Sequence, residues 1–205
     1  VIVKLFLIIA FLFFSVSGNA QDVNVSASFG VADLKLNQTY SLNSNESADS
    51  LNFSSVKFFL SLVADVNGYV LFDAVQSSIS TIQINELKHV YLGIDSLTNV
   101  SGAMGGVLDP SLGMYWTWQS GYINAKLEGV FWKDGLRSEF QFHLGGYASP
   151  FNSYREISLT TLSNSIVLDL ALFSEKVYFT TPSVMRPSEL GNNLSDCLSS
   201  SFRSE

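Results

Sequence analysis

Cysteine is nearly absent: Cys197 stands alone in the chain. No intrachain disulfide can form, no C-x-x-C redox or zinc motif exists, and no lipid-acceptor cysteine follows the N-terminal apolar stretch. A lone thiol with no histidine near it in sequence has no evident activating base, so Cys197 reads as a packed or incidental residue. Charge is equally scarce. Charged residues make up 14% of the chain, and 18 acids outnumber 11 bases for a net charge of −7, which disfavours nucleic acid and anionic lipid as partners. Apolar residues reach 47% but fall in short runs after residue 20, which excludes a polytopic helical membrane protein. The sequence also lacks a G-x-S-x-G elbow, a phosphate-cradling glycine loop and an H-E-x-x-H pair, so nothing marks it as an enzyme.

At the N-terminus, Lys4, an apolar stretch from Leu5 to Phe14 and the small residues Gly18 and Ala20 form the pattern of a signal peptide over 1–20, cleaved after Ala20. That pattern predicts export to the periplasm or the outside of the cell, with no membrane span left after cleavage. Residues 21–205 then read as one domain, since a chain of 205 residues is marginal for two.

Within it, β-branched and aromatic residues alternate in short runs punctuated by Gly, Asn, Asp and Ser. Strands are predicted over Val23–Phe29, Val56–Leu62, Tyr69–Phe72, Thr81–Ile84, Val90–Ile94, Met114–Trp118, Tyr122–Phe131, Glu139–His143, Ile157–Thr161 and Ile166–Leu170. The fold class is therefore all-β, a single-domain antiparallel β-sandwich-like fold with long loops. An outer-membrane barrel is disfavoured because several runs are apolar on both faces. Helix is expected only in short pieces, as after Ser188. Thr98–Leu112 is Gly-rich and aperiodic, and reads as a long functional loop.

The block from Val90 to Tyr147 is the most informative. Its centre, GMYWTWQSGY (Gly113–Tyr122), holds four aromatics and a methionine in ten residues. On a strand, Met114, Trp116 and Trp118 would share one face and Tyr115 and Thr117 the other. Such a face is core, an aromatic ligand platform, or the wall of a metal or redox site.

Taken with LGIDS (92–96), LDP (108–110), KLEG (126–129), FHLGG (142–146) and the upstream aromatic run VKFFLSLV (56–63), this centre resembles the MbnP-like family of exported copper-binding proteins. The resemblance implies a β-rich domain that binds a copper ion and carries a tryptophan oxidised to kynurenine by a MauG-like dihaem c-type cytochrome. Kynurenine bears an aromatic amine that can ligate copper, which an indole N–H does not readily do. By motif position the modified residue is Trp116 or Trp118. The resemblance also makes His143 a copper ligand, and imidazole suits that metal.

The sequence departs from the family pattern at one place. Where a second histidine follows an asparagine, this chain has Asn99 and then Val100. Met114, Met104, His89 or the modified tryptophan would have to complete the site; His89 matches no family position and reads as a surface residue. Three alternatives stay open. Asp95, Asp109 and Glu128 could hold a harder cation such as Ca²⁺ if the fold joined them, although each also has a plain turn or surface role. Tyr115, Trp116, Trp118 and Tyr122 could form a sugar-stacking platform, which would require coplanar rings on an open face. The cluster could also be simple core, which predicts a sealed tryptophan pair.

Overall fold

The structure is a computed structural model that describes residues 20–63, 68–84, 87–118, 121–159, 163–179 and 183–205. The leader expected over 1–20 lies outside the described residues except for Ala20.

The chain is all-β, built from a large sheet that curls into a half-barrel and a smaller sheet packed on its inner side. The small sheet centres on β1 (Gln21–Phe29). The large sheet centres on β2 (Ser50–Val63), which pairs along one edge with β3 (Gly68–Asp73). The chain then crosses to the small sheet as β4 (Ile79–Ile84), which pairs antiparallel with β1. On the other edge of β2, residues 60–63 pair with β5 (His89–Leu92) and residues 50–58 with β7 (Gly121–Lys133), after a two-residue strand β6 (Tyr115–Trp116). β8 (Leu136–Gly145) extends the sheet beyond β7. β9 (Ser165–Asp169) lies parallel to β1, and β10 (Phe202–Ser204) pairs with β9.

Among the described residues three α-helices accompany the sheets: α1 (Ser96–Ser101), α2 (Leu170–Lys176) and α3 (Glu189–Ser199). Among the described residues pairing is mostly antiparallel, with parallel exceptions at β1–β9 and between β8 and Ser183–Val184.

Alternation builds the core. Val23, Val25 and Ala27 of β1 face Phe58, Leu60 and Leu62 of β2, Leu127 of β7 and Phe142 and Leu144 of β8, all buried. Phe58 stacks on Phe72 at 4.9 Å and meets Phe202 edge-on at 5.3 Å. Such pairs add to the area-driven gain that dominates folding. Asp169 starts α2 by accepting from Ala171 N–H, and Ser188 starts α3 by accepting from Gly191 N–H.

The strand expected over Ile157–Thr161 is replaced by a short bridge at Arg155–Glu156 against β5; residues 160–162 lie outside the described set. The expected loop over Thr98–Leu112 is more ordered than its sequence suggests. Asp95 caps α1, Gly102 ends it at φ +66°, and two 3-10 turns follow at Gly106–Leu108 and Pro110–Leu112.

Candidate functional site: the Trp116–His143 face

The outer face of the large sheet would ordinarily be solvated, but the segment 94–118 folds back over it. Phe59, on the outer side of β2, is buried there under Ile94, Leu108, Met114, Trp116, Tyr122 and Ile123, a second apolar cluster separate from the main core.

Polar side chains fix the strap to the sheet. Asn99 Nδ2 donates to the carbonyls of Ile94 (3.1 Å) and Asp95 (3.0 Å), and Asn99 Oδ1 accepts from Tyr122 N–H at 2.9 Å. The Tyr122 hydroxyl donates to the Leu108 carbonyl at 2.9 Å and also contacts that of Ala103. Buried Asn124 accepts from Ile94 N–H at 3.0 Å and donates to Ser153 Oγ at 2.9 Å. Its amide occupies the space where a side chain at position 93 would begin: a Cβ there would lie 2.2 Å from Asn124 Cγ, and Gly93 has φ +98°. The glycine of the LGIDS motif is thus required twice over, by space and by backbone.

Trp116 lies within this cluster, 4% exposed. Its six-membered ring rests on Gly145, where a Cβ would come within 2.5 Å of Cζ3. The indole Nε1–H is buried, and among the described residues it meets no acceptor. An orphaned buried donor costs about 1–3 kcal/mol and marks a site that asks for an explanation.

The strand expected over Met114–Trp118 shrinks to Tyr115–Trp116, because the chain turns at Thr117–Trp118. The one-face arrangement of Met114, Trp116 and Trp118 is corrected accordingly: Met114 and Trp116 are buried, whereas Trp118 is 63% exposed. The two indoles remain neighbours, with ring centroids 5.8 Å apart and planes tilted by 47°.

His143 stands on the outer face of β8, two residues before Gly145, a spacing of roughly 7 Å along a strand. Its Nε2 pairs with Glu128 Oε1 at 2.7 Å, and Lys126 Nζ lies 3.4 Å from the same oxygen. Burial, and secondarily the Lys126 charge, hold the imidazole below its ordinary pKa against the opposing pull of Glu128. For Glu128, burial pushes upward, but the hydrogen bond from His143 and the Lys126 charge together outweigh it and lower its pKa. Both shifts describe a neutral imidazole that donates Nε2–H to a carboxylate, which leaves Nδ1 as the lone-pair nitrogen. A carboxylate behind a histidine is also the usual way a metal-ligating imidazole is oriented.

Glu128, expected to be a solvated residue, is therefore the partner of His143. The signal for it was present in the hairpin turn Asp134–Gly135, both at positive φ (50° and 76°). Such a two-residue turn pairs 133 with 136 and, counting back, 126 with 143 and 128 with 141, so His143 falls diagonal to Glu128.

The other candidates are dispersed. Val100, where the family pattern has a histidine, is 73% exposed on α1. Met104 is exposed. His89 pairs with Glu156 at 3.0 Å on the surface. Asp95 accepts from Tyr69, Thr98 N–H and Thr98 Oγ1, and Asp109 caps the second 3-10 turn. The three acids considered for Ca²⁺ thus serve separate local roles. Among the described residues no three His, Cys, Asp or Glu side chains converge to hold a metal, and no hydrogen bond or ring contact joins His143 to either tryptophan.

As a fit for copper, the face offers the oriented imidazole of His143 and, on the indole whose ring rests on Gly145, one aromatic nitrogen with nothing to bind. The open coplanar platform that sugar stacking on Tyr115, Trp116, Trp118 and Tyr122 would need is not formed, since Trp116 and Tyr122 are buried and the indoles are tilted. The tryptophan pair is not sealed either.

The class of protein is a curled β-sheet whose outer face carries a polar-pinned strap that ends in a tryptophan pair, with a carboxylate-backed histidine on a neighbouring strand of that face. The chain belongs to the MbnP family, whose family model matches residues 19–186. Among solved structures it is similar to MbnP from Methylosinus trichosporium, with 12% identity over 77% of this chain and 78% of that one, and a TM-score of 0.49. No curated protein matches it.

Proposed function

We propose that this chain is an exported copper-binding protein, not an enzyme in its own right, and that its site is the Trp116–His143 face. The observation that carries the reading is the orphaned indole N–H of Trp116, buried on the same outer face as His143, a buried imidazole oriented by the Glu128 carboxylate.

An indole nitrogen shares its lone pair with the ring and is a poor ligand. Oxidative cleavage of the C2=C3 bond, with loss of C2 as a one-carbon unit and a ketone left at C3, converts it to the aniline nitrogen of kynurenine, which has a lone pair to give. The oxidising equivalents would come from a MauG-like dihaem partner, for which this chain is the substrate. Burial of Trp116 beside the His143 strand favours it over Trp118 as the modified residue, and the exposed Trp118 ring, 5.8 Å away, is the indole such a partner could reach. His143 supplies Nδ1 while Glu128 holds the ring through Nε2. Met114 packs in the same apolar cluster as Trp116, where its thioether is available to a soft cuprous ion.

Copper titration of the protein isolated from its native host, beside His143→Ala and Trp116→Phe variants, tests this reading. The wild type is expected to take up one copper ion, and each variant to lose most of that uptake while keeping a wild-type unfolding midpoint to within a few degrees. Equal copper uptake by the His143→Ala variant would remove His143, and with it the proposed site.

A further inference from the structure

Glu128 borders a second feature that the copper reading leaves unused. The outward rows of β7 and β8 lie directly opposite one another: Trp132 faces Arg137, Val130 faces Glu139, and Glu128 faces Gln141. With Asn52, the β2 partner of Val130, they line an open hollow of about 430 Å³. That volume falls within the ~300–1,000 Å³ range of small-molecule sites.

The chemistry of the lining is specific. Its largest aromatic is Trp132, and its polar groups are mostly planar: a guanidinium, two carboxylates and three amides, which mix donors and acceptors. Its charges are already committed within the protein. Arg137 Nη1 lies 3.2 Å from Glu139 Oε1, and Glu128 is held by His143 and Lys126. A phosphate or other strong anion would face two carboxylates, and a metal ion would have to displace those internal pairs. In the same hollow Asn52 contributes a side-chain oxygen that is buried and, among the described residues, accepts no hydrogen bond.

Planar bidentate groups that can span neighbouring hydroxyls, beside an aromatic face that can meet ring C–H bonds, match one ligand class: a neutral sugar ring. We infer that this hollow on β2, β7 and β8 is a binding site for a neutral saccharide, with Trp132 as the stacking wall and Gln141, Arg137 and Asn52 as the hydrogen-bonding groups. The site is distinct from the tryptophan pair at 116 and 118 and does not depend on the copper reading.

Isothermal titration of the copper-free full chain against xylo-, cello-, manno- and chito-oligosaccharides tests it. At least one series is expected to bind one-to-one. Trp132→Ala should weaken that binding about tenfold or more, near 1.4 kcal/mol. Gln141→Ala, at an exposed position whose loss does not threaten the fold, should weaken it severalfold, and Trp118→Ala should leave it unchanged. No binding by any of the four series overturns the inference. So does binding that survives both Trp132→Ala and Gln141→Ala, or binding that is lost with Trp118. None of these results bears on copper uptake, so the two proposals fail separately.

Discussion

Gly145→Ala puts the placement of Trp116 to a direct test. The added Cβ would stand 2.5 Å from Trp116 Cζ3, 2.8 Å from Cη2 and 2.7 Å from the Tyr122 carbonyl oxygen. The backbone oxygen cannot retreat without disturbing β7, and the indole is wedged in a closed apolar cluster, so neither neighbour yields cheaply. Overpacking of this kind costs about 1–3 kcal/mol. At about 2 kcal/mol, a domain of this size would lose roughly 4–8 °C in Tm. The contact has two parts, and a double-mutant cycle separates them. In a Trp116→Leu background the ring contact is gone and only the Tyr122 contact remains, so the cost of Gly145→Ala should fall by about 1 kcal/mol, a coupling typical of touching residues. Urea unfolding of the four proteins measures it. A Gly145→Ala variant within about 0.5 kcal/mol of wild type, or a cost identical in both backgrounds, would show that Trp116 does not sit on this strand.

Two further predictions concern the same face. Gly93→Ala must enter the space of the Asn124 amide at a backbone φ of +98°, so it should destabilise by more than about 2 kcal/mol in chemical unfolding, and a neutral effect would contradict the Asn124 geometry. Stability of the copper-free protein should decline as pH falls below the ordinary histidine value of about 6.5. There the unfolded chain binds a proton that the native His143, its pKa lowered by burial, does not, so the unfolded state gains. Glu128, whose pKa is also lowered, adds a further loss at more acidic pH as its native carboxylate is titrated. The decline near pH 6 should be smaller in a His143→Gln variant, and an unchanged slope would place its origin elsewhere.

Alternation and turn chemistry made the fold class legible: β1 buries Val23, Val25 and Ala27, the β7–β8 hairpin buries every second residue over 125–131 and 139–142, and both are bounded by turn residues. Phe59 marks where that reasoning stops. Its position in β2 assigns it to the outer face, and only the strap over residues 94–118, held by Asn99, Asn124 and Tyr122, accounts for its burial. A contact made by a distant segment leaves no local pattern. The same holds for α2, a short helix whose start is set by Asp169 after a strand, where apolar periodicity is too brief to distinguish helix from strand.

At the site, the tryptophan pair and His143 stood out by residue type, whereas their seats did not. Gly145 is significant because of what lies across from it, and Glu128 because the Asp134–Gly135 turn fixes the register. Trp132, the third tryptophan, lies in a strand that reads as ordinary sheet and becomes distinctive only when Arg137 is placed opposite it.

The central claim is that Trp116, once converted to kynurenine, binds copper together with His143. Peptide-level mass analysis of the segment Gly113–Tyr122, with copper content determined on the same sample taken from the native host, tests it most directly. The account predicts the loss of one carbon and gain of one oxygen at Trp116, with copper bound in equal proportion. An unmodified Trp116, or a modification confined to Trp118, in protein that carries no copper would contradict it.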